Sequence, residues 1–192
     1  MRGNRCLTGC RRKDAGGAID DFERLVAAYQ NRIYGVALRL TSSPEVAADL
    51  TQETFLRAFR GWKNFRKESQ AYTWLYRILV NLNKDRIGRE TRRRSRETSL
   101  TSEDGIDAYV ELPDSSPNPS ECAERGELRG ILAKAIDDLQ PGYKECVVLK
   151  DVEGLSYEQI AEVMGITVEA VRSRLARARQ QLRQSLAPYL KA

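Results

Sequence analysis

Histidine is missing from this chain altogether, and cysteine is confined to Cys6, Cys10, Cys122 and Cys146. Without histidine the usual general base at neutral pH is gone, and with no C-x-x-C pair a common zinc site has no ligands. No metal, no cofactor and no enzymatic activity are therefore expected, and no Walker motif implies ATP. Long apolar runs are absent too. None approaches the roughly 18 residues that crossing a bilayer requires, and no signal-peptide core follows the N-terminal charges. The expectation is a soluble, cytoplasmic protein without membrane insertion. Cys122 and Cys146 read as free cytosolic thiols. Cys6 and Cys10 could pair or sense oxidants, but they lie in a polar stretch, RCLTGCRRKDAGG, that reads as disordered.

What the chain has is charge in blocks. Its 192 residues carry 32 Lys+Arg and 27 Asp+Glu, a net charge of only +5, so distribution matters more than the sum. Residues 84–96, KDRIGRETRRRSR, are dominated by basic side chains, whereas residues 97–121 hold seven carboxylates and no Lys or Arg. Basic blocks of this kind favour a nucleic-acid partner.

Residues 155–183, LSYEQIAEVMGITVEAVRSRLARARQQLR, carry the strongest local signal. Ser156 suits an N-cap, and Gln159 three residues later completes a capping box. Gly165 ends that helix and Thr167 caps the next. In the second helix Val168, Val171, Leu175, Ala178 and Leu182 recur at steps of three and four and predict a buried stripe. Ser173 and Arg177 then project away from the stripe, flanked by Arg172, Arg174, Arg179 and Arg183. This is the pattern of a helix-turn-helix whose second helix enters the major groove. A surface helix with solvated arginines is the plainer alternative.

Strand signals are few and helical periodicity is nearly continuous, so the expected fold is all-α. A first helix opens at Asp20 or Asp21 with a stripe of Phe22, Leu25, Val26, Tyr29, Ile33, Val36, Ala37 and Leu40. Ser43 caps a second helix with Pro44 at its first position, burying Ala47, Leu50, Thr54, Phe55, Ala58 and Phe59. A third, from about Ser69, carries Tyr72, Trp74, Leu75, Ile78, Leu79 and Leu82. A fourth starts at Ser120 with Leu128, Ile131, Leu132, Ala135, Ile136 and Leu139 inward, and a short helix spans Tyr143–Lys150. The domain expectation is a disordered segment 1–18, a helical module 19–96, an acidic linker 97–120 too poor in apolar surface to order itself, and a helix-turn-helix module 121–190.

Trp62, Phe65, Tyr72, Trp74 and Tyr76 cluster just before the basic block. Such rings serve either as a stacking platform for unpaired bases or as core. Asn81, an amide between Val80 and Leu82, reaches either a base edge or a partner within the module.

The run DLTQETFLRAFRGWKNFRKESQAYTWLYRILVNLNKDRIGR resembles the promoter-opening domain of bacterial sigma factors of the sigma-70 family. The run DLQPGYKECVVLKDVEGLSYEQIAEVMGITVEAVRSRLARARQQL resembles the family's second DNA-binding domain. Two such domains and a short tether are similar to the compact extracytoplasmic-function (ECF) group. The resemblance implies a transcription initiation factor that binds core RNA polymerase, directs it to promoter DNA and helps open the minus-ten region. It implies that Asp49, Gln52, Glu53 and Arg57 dock on the clamp helices of the largest polymerase subunit, with a second contact on the flap of the second-largest. Phe65, Lys67, Ser69, Tyr72, Trp74, Asn81, Lys84, Arg86 and Arg89 are assigned by the same likeness to the minus-ten element, the last three with Arg92–Arg94 on phosphates. Arg172, Ser173 and Arg177 are assigned to reading the minus-thirty-five element. Lys150, Arg174 and Arg179 are assigned to its phosphates, with Ser156 and Thr167 on the same surface. An anti-sigma factor is a further expected partner.

Two other readings stand beside this one. A stand-alone helix-turn-helix regulator accounts for residues 155–183 but gives the aromatic and basic block no task. A recombinase or nuclease finds no histidine and no D-x-D cluster to work with. Asp49 and Glu53 share a helix face, which reads more simply as solvated or docking.

Overall fold

The computed structural model describes residues 13–65, 70–97 and 129–189. The expectations for Cys6, Cys10, Lys67, Ser69 and Cys122, and for the linker, lie outside these residues. Among the described residues seven helices follow in order: α1 (Lys13–Thr41), α2 (Pro44–Gly61), α3 (Ala71–Glu97), α4 (129–137), α5 (Pro141–Val147), α6 (Tyr157–Met164) and α7 (Val168–Leu186). A short 3-10 turn, Trp62–Asn64, follows α2, and a π-helical turn, Val148–Val152, extends α5.

Local chemistry sets most of these boundaries. Ser43 accepts a hydrogen bond from the backbone N–H of Val46 at 3.4 Å and Pro44 takes the first helical position, so α2 starts where expected. Pro141 opens α5 in the same way. One boundary differs: the chain is already helical at Lys13, ahead of Asp20 or Asp21, and the helix runs through the Gly16-Gly17 pair despite the low helix propensity of glycine.

The apolar stripes are buried as their spacing predicts. Ile33, Val36 and Ala37 of α1, Ala47 and Ala58 of α2, and Leu75, Leu79 and Val80 of α3 are fully enclosed. Burying each Leu, Ile or Val contributes about 1.5–3 kcal/mol before chain entropy is charged against it. Two side chains depart from expectation. Phe59 is 53% exposed, with its ring edge-to-face against Phe22 at 5.2 Å, and Leu132 is 44% exposed.

The larger difference lies between the modules. Rather than two separate cores, one continuous hydrophobic cluster runs from Phe22 and Leu25 through α3 to Val148, Ile160 and Leu175. Helix α3 makes this possible because it is apolar on more than one side. Helices α1 and α2 pack on it from one direction and α6 from another.

Candidate nucleic-acid interface

The helix-turn-helix is built as its sequence specifies. The Ser156 side chain accepts from the Gln159 backbone N–H at 3.2 Å, and Gln159 Oε1 accepts from the Ser156 backbone N–H at 2.8 Å. Glu158 in the same turn is held below its ordinary pKa, chiefly by its backbone hydrogen bond and then by Ser156. Gly165 sits at φ 67°, in the left-handed region that closes a helix. Thr167 accepts from the Ala170 N–H at 3.2 Å and starts α7. Ser156 and Thr167 thus act as caps, which fixes the angle at which α7 is presented.

On α7, Val171, Leu175 and Ala178 face inward, and Arg172, Ser173 and Arg177 are exposed. A groove of about 520 Å³ runs between Ser173, Arg174 and Arg177 and the corner formed by Gln140–Tyr143. Tyr143 lines the groove with Arg177 and raises its pKa. The three expected phosphate partners already serve the fold. Lys150 Nζ donates to the Leu155 carbonyl at 3.0 Å and lies 5.1 Å from the Tyr157 ring. Arg179 pairs with Asp151 at 2.8 Å. Arg174 folds back over Gly142 and toward the buried Cys146 thiol, which burial pushes up to about 11.

The described residues expected at the minus-ten element are split into four groups. Phe65 and Trp74 stand 4.7 Å apart in an aromatic nest with Trp62, whose ring is nearly parallel to Phe65 at 5.4 Å. Asn81 is exposed and shares a stripe of α3 with Arg77, Asp85, Arg89 and Arg92. Tyr72 and Lys84 instead face the second module. Gln159 Nε2 donates to the Tyr72 hydroxyl at 2.7 Å, and Lys84 Nζ donates to the Met164 carbonyl at 3.1 Å. Arg86 is occupied within its own helix, by Glu90 at 3.0 Å and Asn83 at 3.3 Å.

On α2, Asp49, Gln52 and Arg57 are exposed and Glu53 is half-buried; Glu53 and Arg57 pair at 2.8 Å. Leu56, 44% exposed, extends this face with an apolar contact, and Phe59 lies beside it. Sequence reasoning passed over Leu56 and placed Phe59 in the core. Helical spacing alone puts both at the edge of the buried stripe, where burial depends on a partner.

A capped helix with exposed arginines on one module and a basic helix on another give the chain the character of a nucleic-acid-binding protein. Residues 25–93 match the family model for Sigma-70 region 2, and residues 129–182 match that for Sigma-70, region 4. The ECF RNA polymerase sigma factor SigE of Mycolicibacterium smegmatis is 39% identical over 185 residues, which are 95% of this chain and 69% of that protein. The ECF RNA polymerase sigma-E factor of Haemophilus influenzae is 37% identical over 170 residues, 88% of this chain and 89% of that one. Among solved structures, the sigma factor RpoE from Bartonella quintana, in complex with the anti-sigma factor NepR, shares the fold. Its TM-score is 0.71 at 23% identity, covering 87% of this chain and 97% of that one. CnrH in complex with the cytosolic domain of CnrY gives 0.63 at 25% identity, covering 91% and 92%. The chain belongs to the ECF sigma factors of the sigma-70 family, which act in transcription initiation. No helix of the described residues is long and apolar enough to cross a membrane.

Proposed function

We propose that the two modules attach to a promoter in different ways, α7 to duplex DNA and α3 to strands already parted, while α2 docks on core polymerase. The observation that carries this reading is the exposed trio Arg172, Ser173 and Arg177 on a helix capped at its start and backed by a buried stripe. An arginine and a hydroxyl so held meet base edges in the major groove, where a good bidentate pair discriminates by about 1–3 kcal/mol. Arg177, beside Tyr143 in the groove, is assigned a base, and Arg172 a base or its neighbouring phosphate. Arg174, Lys150 and Arg179 position the helix first and reach phosphates only by giving up internal partners.

The exposed stripe of Asn81, Arg89 and Arg92 supports a separate task for α3. Arginines there neutralise phosphates without reading sequence. Asn81 offers both a donor and an acceptor to the edge of an unpaired base. Phe65 and Trp74 stay packed with Trp62 in the aromatic nest near the start of α3. Unstacking a base costs a few kcal/mol, and linkage to α7 supplies the local concentration that lets weak contacts hold it.

The face of Asp49, Gln52, Glu53 and Arg57, with Leu56 exposed beside it, suits a polar docking surface around an apolar anchor. Its assigned partner is the clamp helices of the largest polymerase subunit, and the second module is assigned to the flap. An anti-sigma factor is proposed as a further partner, since RpoE from Bartonella quintana was solved in complex with the anti-sigma factor NepR.

The test is reconstitution with core polymerase and genome-wide mapping of transcript starts. Wild-type chain should start transcripts at a defined promoter set. Replacing Asn81 and Arg177 together by alanine should abolish it, and unchanged starts in that variant would refute the assignment.

A further inference from the structure

The charges around the π turn and the outer side of α7 are spent unevenly. Asp151 holds Arg179 at 2.8 Å. Glu153 reaches across the seam between the modules to Arg32 at 2.6 Å and also accepts from the Tyr76 hydroxyl. Lys150 and Arg172 meet at an aromatic ring instead. Tyr157, the first residue of α6, is half-buried and packs against the core. The Lys150 ammonium stands 5.1 Å from its ring centre and the Arg172 guanidinium 5.9 Å. A cation and a ring attract within about 6 Å, so an exposed arginine that would otherwise sample many rotamers is given a preferred one. Lys150 also donates to the Leu155 carbonyl at 3.0 Å, which fixes its charge in place. The exposed Glu158 carboxylate on the next residue offsets part of the repulsion between the two cations.

Arg172 is thereby set apart from its neighbours on α7. Ser173 and Arg177 line the groove with Tyr143, and Arg172 stands outside it. We infer that Tyr157 is a positioning residue that dedicates Arg172 to a DNA phosphate and leaves base reading to Ser173 and Arg177. The inference deepens the assignment of α7 to duplex DNA and rests on it. A guanidinium that leans on a ring is steadied through its carbon, and its N–H donors stay free for an anion. Lys150 adds a second positive charge that draws the same phosphate without leaving Leu155. Such a contact sets the register of a helix on the duplex and carries no sequence information. The ring does this rather than the hydroxyl, since both cations are placed by their distance to its centre.

The experiment uses the full chain reconstituted with core polymerase and labelled duplexes taken from the mapped transcript starts, with each upstream base pair substituted in turn. Arg172→Ala should weaken binding evenly across the substituted duplexes and lower the slope of log affinity against log salt by about 1. Tyr157→Leu should weaken binding about twofold to fivefold, the worth of one exposed contact between a cation and a ring. Tyr157→Phe should match wild type. Adding Tyr157→Leu to Arg172→Ala should cost nothing further, because the ring acts through the arginine. Three results would each overturn the inference: preference relaxed at one base pair in Arg172→Ala, a loss in Tyr157→Phe as large as in Tyr157→Leu, or additive losses in the double variant. Circular dichroism melts identify a Tyr157→Leu chain that has lost its fold. Arg172→Ala and Tyr157→Phe, which remove no core packing, then carry the test. Wild type with no preference among the duplexes would remove the assignment of α7 and the inference with it, whereas failure of the inference alone leaves that preference intact.

Discussion

Lys84 Nζ stands 4.0 Å from Glu145 Oε2 across the seam, and neither carboxylate oxygen of Glu145 holds a well-formed hydrogen bond. The Glu145 side chain is 1% exposed. Burial pushes it from 4.5 up to about 7, against the opposing pull of Lys84 and the Asn83 amide on α3 and of Arg174 on α7.

A direction of pH dependence follows. The folded chain binds this proton more tightly than the unfolded one, so stability is fullest below about 4.5 and declines as pH rises toward about 7. The loss is at most about 3 kcal/mol. Thermal melts should give a lower Tm at about pH 8 than at about pH 6, and Glu145→Gln should raise the value at the higher pH and flatten the difference. Parallel pH profiles for the two proteins would mean that the carboxylate is charged and tolerated.

Gly165 and Ser156 test the turn that aims α7. No atom lies within 4 Å of where a Gly165 side chain would begin, so Gly165→Ala is penalised only by its φ of 67°. The expected cost is about 1 kcal/mol. Ser156→Ala removes half of a capping box and should also cost about 1 kcal/mol. Urea midpoints read both. A glycine substitution with no effect would show that the turn relaxes into another conformation.

Trp74 and Asn81 separate support from contact. Trp74→Ala empties the middle of the aromatic nest and should cost about 3 kcal/mol of stability, since the ring is half-buried rather than fully enclosed. Asn81→Ala removes an exposed amide and should leave stability within about 0.5 kcal/mol. Promoter opening, followed by permanganate reactivity of unpaired thymines, should nevertheless fall in the Asn81 variant. Opening unaffected by Asn81→Ala would return that amide to the solvated surface.

The helix-turn-helix was legible in the sequence almost residue by residue, because Ser156, Gln159, Gly165 and Thr167 act within a turn or two of their own positions. Stripes such as Ile33, Val36 and Ala37 were legible because burial repeats with the helix. What periodicity cannot report is which surface covers a face. Tyr72 and Tyr76 were visible as aromatic residues near a basic block, but Glu153 and Arg32 lie 121 positions apart and carry no mutual signal. Asn83 resembles Asn81 in the sequence, yet it is 2% exposed and turned to Arg86, while Asn81 faces outward. Phe59 went astray for the converse reason: its spacing suits a core that ends one row short of it.

The π turn at Val148–Val152 carries one more residue than an α-helical turn would. Asp151 grips Arg179 on the back of α7, and Glu153, immediately after the turn, grips Arg32 and Tyr76. Trimming this surplus residue would swivel everything beyond it by roughly 100°. Both grips would lose their aim together, so a single-codon deletion there would misalign the molecule's two halves and its reading head in one stroke.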